Sequence, residues 1–178
     1  MGSIFISYRS ADDAYAAALL DQMLSQMFGR NNVFRASRSI VPGSDYESAL
    51  LAGVESSRVM LVIVGKSWRE GVEATGGKLF GSDDWVRKEI AKALEVGVVI
   101  IPILISGAPR LAELQLPQDV RKFSSFQYMR FDYRNVENDF LRIGQEVAHY
   151  VSGAEDLQSN AIASALRELA DKVEALND

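Results

Sequence analysis

A chain of 178 residues suits one ordinary globular domain, and its content of 48% hydrophobic and 24% charged residues excludes global disorder. Its 19 basic residues are outweighed by 24 acidic ones, a net of −5 that argues against wrapping nucleic acid or lying on an anionic membrane. With no cysteine and His149 as the single histidine, disulfides, thiolate catalysis, cysteine-based metal centres and multi-histidine metal sites are excluded.

The N-terminus enters an apolar strand at once, Ile4-Phe5-Ile6-Ser7, with no basic or long apolar leader before it. Gly2 follows Met1, but Ile6 stands at the sixth position, where a myristoylation signal wants serine or threonine. An amphipathic helix follows over Ala11–Phe28, with Tyr15, Leu19, Met23 and Met27 on one stripe and Asp12 and Asp13 near its positive end. Val33-Phe34 is a short second strand, and Tyr46–Glu55 a helix carrying Leu50, Leu51 and Val54. The third strand, Val59–Val64, is uniformly apolar, and a helix over Asp84–Val96 carries Val86, Ile90, Ala93 and Leu94. The fourth strand is Val98–Ile105, the weaker fifth is Phe126–Phe131, and a helix over Val136–Val151 carries Phe140, Ile143, Val147 and Val151.

Strands without polar alternation are those covered on both faces, and strands alternating with helices make parallel sheets. The expectation is an α/β fold: a flavodoxin-like five-stranded parallel sheet with helices on both faces, plus a C-terminal helix. The longest apolar run, Val98 to Ile105, is far too short to span a membrane and contains Pro102, so a soluble cytoplasmic protein is expected.

Two segments exceed a minimal domain of this kind. Gly65–Asp83 is a long, glycine-rich connection at the carboxyl end of a strand, where ligands bind in doubly wound sheets. Residues 154–178 read as a separate amphipathic helix, a linker or oligomerisation segment after a domain at 1–153. Its residues Ile162, Leu166, Leu169, Val173 and Leu176 step like a heptad seam, and residues 155–178 hold −4 of the −5 net charge.

The most specific segment is Ser82-Asp83-Asp84-Trp85-Val86-Arg87-Lys88-Glu89-Ile90. An Asp or Ser cap starts a helix that places Trp85 and Glu89 at i and i+4, on one face. A carboxylate beside an indole, shielded from water, can stabilise developing positive charge or hold sugar hydroxyls. Taken on their own chemistry, the same residues fit a surface helix acid and a core anchor better, because exposed helix glutamates are common.

Four blocks together resemble the Toll/interleukin-1 receptor (TIR) domain family. They are Phe5-Ile6-Ser7-Tyr8-Arg9, Ile40-Val41-Pro42-Gly43, Asp84-Trp85-Val86-Arg87-Lys88-Glu89 and Leu116-Pro117, in order over residues 1–152. The likeness is to prokaryotic TIR proteins and to enzymatic animal and plant TIRs. It implies cleavage of the N-glycosidic bond of NAD+ as substrate, with no separate cofactor or metal. Nicotinamide leaves, and ADP-ribose or a cyclic isomer forms. It also implies a role in bacterial anti-phage or cell-death immunity and TIR–TIR self-association around Ile40–Asp45. On this resemblance Glu89 is catalytic, engaging the nicotinamide-side ribose hydroxyls and stabilising an oxocarbenium-like state. Trp85 is the family's tryptophan, Tyr46 a stacking partner for a planar base, and Tyr8 and Arg9 lie at the same edge, with Arg9 toward the pyrophosphate.

One departure stands out. Many family members carry an acid after the second strand, whereas Arg35-Ala36-Ser37-Arg38-Ser39 has none, and Arg38 would replace a neighbouring lysine. His149 reads as a surface or packing residue, and Gly76-Gly77 lacks the Lys-Ser/Thr of a phosphate-binding loop. The alternative to an enzyme is a non-enzymatic TIR adaptor acting through TIR–TIR contacts. Adaptor TIRs commonly lack the glutamate that this chain has as Glu89.

Overall fold

The computed structural model describes residues 3–68, 84–113 and 116–151, built around one parallel sheet. Strands β1 (Ile4–Ser7), β2 (Val33–Arg35), β3 (Val59–Val64), β4 (Val99–Ile105) and β5 (Met129–Phe131) lie in the order β2-β1-β3-β4-β5. Every pairing is parallel, with Ser7 opposite Val62 and Val64 opposite Leu104. The order reverses beside β1, between β1 and β3, the position at whose carboxyl edge doubly wound sheets commonly bind ligands. Helices α1 (Ala14–Phe28), α2 (Ala36–Ser39), α3 (Tyr46–Glu55), α4 (Trp85–Val96) and α5 (Val136–Val151) complete the described regular structure, with short 3-10 turns at Arg30–Asn32, Leu111–Glu113 and Gln118–Ser125.

Strands β1 to β4 feed two cores, because successive side chains point to opposite faces, whereas β5 adds Met129 and Phe131 to the first alone. Ile4, Ile6, Leu61, Ile63, Ile103 and Phe131 meet α1 and α5 through Leu20, Leu24, Phe140 and Ile143. Phe5, Met60, Val62, Ile100 and Leu104 meet α3 and α4 through Leu50, Val54, Val86 and Ile90. The fold class expected from strand–helix alternation is the one observed.

Several details differ from the sequence reading. Helix α1 starts at Ala14, not Ala11, because Asp13 is its cap and accepts from the Ala16 amide at 3.1 Å. Its buried stripe is Ala16, Ala17, Leu20, Met23 and Leu24, while Tyr15 is 71% exposed. Small alanines let the helix approach the sheet closely; a stripe through Tyr15 would hold it off. The fifth strand shrinks to Met129–Phe131 because Phe126 closes a 3-10 turn onto the Phe123 carbonyl. Most of the glycine-rich connection, 69–83, and the whole expected C-terminal helix lie outside the described residues. Among the described residues, no helix is long and apolar enough to cross a membrane.

Candidate active site

Ser7 ends β1 as the one polar residue of an otherwise apolar strand, and it is buried. Across from it, Asp84 caps α4 by accepting from the Val86 and Arg87 amides. The helix then carries Trp85 at its first position and Glu89 one turn deeper, about 6 Å along the axis at 1.5 Å per residue. That depth separates two residues on one stripe. Trp85 is 36% exposed at the rim, whereas Glu89 is only 5% exposed and accepts a 2.5 Å hydrogen bond from the Ser7 hydroxyl. A solvated helix acid and a core indole, the bland alternatives, are both overturned. The buried indole is that of Trp68 instead.

The electrostatics follow from this burial. Loss of water pushes the Glu89 carboxyl up to about 8; the Ser7 hydrogen bond opposes the rise, the Asp84 charge adds to it, and Arg9 offsets part of it. Arg9 is itself engaged: its two terminal nitrogens grip the two Asp84 oxygens at 2.8 and 2.7 Å. Its guanidinium also lies over the Trp68 ring, 4.8 Å from the centroid. A pyrophosphate expected at Arg9 would therefore compete with Asp84 for the same fork.

An aromatic pair forms the rim. The Tyr46 ring, at the start of α3, meets Trp85 edge to face with centroids 5.1 Å apart. Burial, then the nearby Glu89 and Tyr8 groups, raises the Tyr46 phenol above its ordinary value, which ties all three side chains to one locality. On the outer side, Lys88 sits over the Trp85 ring at 4.3 Å and pairs with Glu47 of α3 at 2.9 Å.

Tyr8 and Arg38 point to a second cluster. The Tyr8 hydroxyl donates to Ser37 at 3.1 Å, and Arg35 reaches the same Ser37 oxygen at 2.9 Å. Arg38 donates to both Asp21 oxygens of α1, at 2.9 and 2.7 Å, and to the Val33 carbonyl; Arg35 also holds Asp21 at 2.8 Å. The two guanidiniums together hold the Asp21 carboxyl below its usual range, against a burial that alone would raise it. Among the described residues, no contact joins Arg38 to Glu89. His149 is exposed in the last turn of α5, away from these residues.

Sequence reasoning missed Ser7, Trp68 and Asp12 as parts of this edge, and took Asp84 only as a cap. Ser7 had a legible signal, a polar residue closing an apolar strand at its carboxyl end. Asp12 had none. It leaves the helix to accept from the Gly65 and Ser67 amides at 2.7 and 2.8 Å, fastening the turn after β3 to the end of β1. A Cβ on Gly65 would sit 2.6 Å from that carboxylate, so only glycine admits the contact.

Comparison with known proteins agrees with this architecture. A sequence model of the TIR domain matches residues 4–143. No curated protein matches the chain. Among solved structures, the TIR domain of the Toll-related receptor TRR-2 from the lower metazoan Hydra magnipapillata is similar at 18% identity and a TM-score of 0.52, covering 83% of this chain and 98% of that one. The TIR domains of the activated Roq1 resistosome, which directly recognises the pathogen effector XopQ, align at 16% identity and a TM-score of 0.48, over 97% of this chain and 99% of that one. Since the family match runs from β1 into α5 and takes in all five strands and the Ser7–Glu89 edge, the chain belongs to the TIR domain family.

Proposed function

We propose that this TIR domain cleaves the bond between nicotinamide and ribose in NAD+. The observation that carries the reading is the buried Glu89 carboxyl, hydrogen-bonded to Ser7 at the strand-order reversal and overhung by the Tyr46–Trp85 pair. In the cleavage, the C1′–N bond breaks and its electron pair neutralises the pyridinium nitrogen. Positive charge passes to the ribose, where an anionic Glu89 stabilises it. Water attacking C1′ and losing a proton gives ADP-ribose; an adenine nitrogen attacking instead gives a cyclic isomer. A desolvated carboxyl suits this task because a cationic substrate favours its ionised form most where water is absent.

The half-exposed Trp85 and Tyr46 rings offer faces for a planar base. Arg35 and Arg38 carry one more positive charge than Asp21 neutralises, which supports an anionic pyrophosphate toward that side, with Tyr8 between the two clusters. Loss of NAD+ arrests or kills a cell, which suits anti-phage or cell-death immunity. Self-association belongs to the same reading: Val41 is 69% exposed in the Ile40–Asp45 turn, a short apolar projection suited to a second copy.

The test is to incubate concentrated protein with NAD+ and resolve nicotinamide, ADP-ribose and cyclic products by chromatography, with Glu89→Gln alongside. Nicotinamide release that vanishes in the variant supports the reading. Intact NAD+ with both proteins points to a non-enzymatic TIR adaptor. Across a dilution series, specific activity should climb with protein concentration; a constant value would indicate a self-sufficient monomer.

A further inference from the structure

Three connections converge on one point above the ends of β1 and β3. Arg9 and Asp12 come from the segment after β1, Gly65–Trp68 from the turn after β3, and Asp84 from the start of α4. The Arg9 and Asp84 side chains are 7% and 4% exposed, so the ion pair is withdrawn from solvent. Asp84 does two jobs with one carboxylate, capping α4 through the Val86 and Arg87 amides while accepting both arms of the Arg9 fork. The next residue along the helix is Trp85, and Glu89 lies one turn on.

We propose that Arg9 and Asp84 are positioning residues, a clamp that seats the first turn of α4 on the end of β1 and so fixes where the Glu89 carboxyl and the Trp85 ring stand for substrate. A forked guanidinium held at both oxygens sets direction as well as distance, which a lysine at the same place does not. The stacking of Arg9 on Trp68 and the Asp12 bonds to Gly65 and Ser67 lock the other side of the clamp to β3. Arg9 thus acts through Asp84 and not by gripping a phosphate. The proposal rests on the NAD+-cleaving reading for its kinetics, but its geometry is testable without activity.

The groups facing Glu89 are Ser7 on β1, Arg9 beyond it, Asp84 on α4 and Tyr46 on α3. Asp84 and Arg9 act on the Glu89 charge with opposite sign, so the clamp makes a signed forecast. The experiment follows the Glu89 side-chain carboxyl by carbon-13 NMR titration in the full chain, alongside kcat and KM for NAD+. Asp84→Asn keeps a capping side chain but removes the negative charge, and should move the Glu89 midpoint down by about one pH unit. Arg9→Lys keeps charge and loses the fork. It should lower kcat by about 10- to 100-fold, with KM within about threefold, because a small misplacement of a reacting group costs that much. The double variant Arg9→Met with Asp84→Asn removes both charges together and guards against a single variant that does not fold. Its midpoint should return toward that of the wild type. A Glu89 midpoint that stays put in Asp84→Asn, or Arg9→Lys with wild-type kcat, overturns the clamp. The NAD+-cleaving reading fails separately, through undiminished turnover in Glu89→Gln.

Discussion

Two charge clusters flank the end of β1, and they are built in opposite proportions. Among the described residues, two carboxyls toward α4, Asp84 and Glu89, share one arginine, and two arginines toward α1 share one carboxyl, Asp21. The Arg9 fork is engaged by Asp84, so Glu89 is held by a hydroxyl and by burial, and its carboxyl is pushed up to about 8. In the other cluster Asp21 is oversupplied with donors and held low. The same residue types make a group waiting for positive charge in one place and a finished structural tie in the other. What decides is loss of water at Glu89, which outweighs its hydroxyl partner, and the two guanidiniums at Asp21, whose hydrogen bonds and charges outweigh its burial.

The largest expected effect is on the cation-poor side. Glu89→Gln should reduce NAD+ cleavage by about 1,000-fold or more, the order lost when a group that stabilises charge in the transition state is removed. The same change should stabilise the fold above pH 8 by about 1–3 kcal/mol, since it removes a desolvated charge. The sign follows from linkage. With its folded value raised from 4.5 to about 8, Glu89 keeps a proton in the folded state that the unfolded chain releases. Wild-type stability should therefore fall as pH rises from about 4.5 to about 8 and level off beyond, and the slope should be absent in Glu89→Gln. Urea melts at several pH values read this directly. If the anion is the working form, kcat/KM should rise with pH over the same window.

Next in size is the removal of the ion-pair partner of Asp84. Arg9→Ala strands a buried Asp84 and should cost about 3–5 kcal/mol by chemical denaturation. On the cation-rich side, Asp21→Asn should cost less, about 1–3 kcal/mol, because its arginines reach solvent. Its pH signature is opposite to that of Glu89. The depressed Asp21 carboxyl contributes stability above its ordinary value of 3.8, and that contribution is lost as pH falls through the lower folded value. The smallest effect belongs to Arg35→Ala. Arg38 still holds both Asp21 oxygens, so the cost should stay under about 1 kcal/mol. If Arg9→Ala and Arg35→Ala cost the same, the contrast between the clusters has no energetic content.

The fold was legible because its signal is long-range repetition: apolar strands alternating with helices leave few topologies, and the apolar runs at Val59–Val64 and Val99–Ile105 are unmistakable. The site was legible only in part. The block from Asp84 to Glu89 drew attention through its spacing, yet spacing gives the face of a helix and not the depth, so the burial of Glu89 could not be read from it. The partner of Arg9 was hidden for a different reason. Asp84 lies 75 positions away, and nothing local distinguishes an arginine aimed at a phosphate from one already held by a carboxylate. Arg38 presents the same ambiguity, resolved by Asp21 from the preceding helix.

The chain has two tryptophans, and the fold has given them unlike surroundings: Trp68 is fully buried beneath Arg9, while Trp85 stands half-exposed against Tyr46 at the rim. The molecule therefore carries two optical reporters of separate events. A planar base resting on Trp85 should quench its emission without touching that of Trp68. Loosening of the junction above β1 and β3 should redden Trp68 while Trp85, already wet, changes little. With Trp85→Phe and Trp68→Phe as single-reporter variants, ligand capture and loosening of the scaffold can be timed independently in one cuvette, with no added dye.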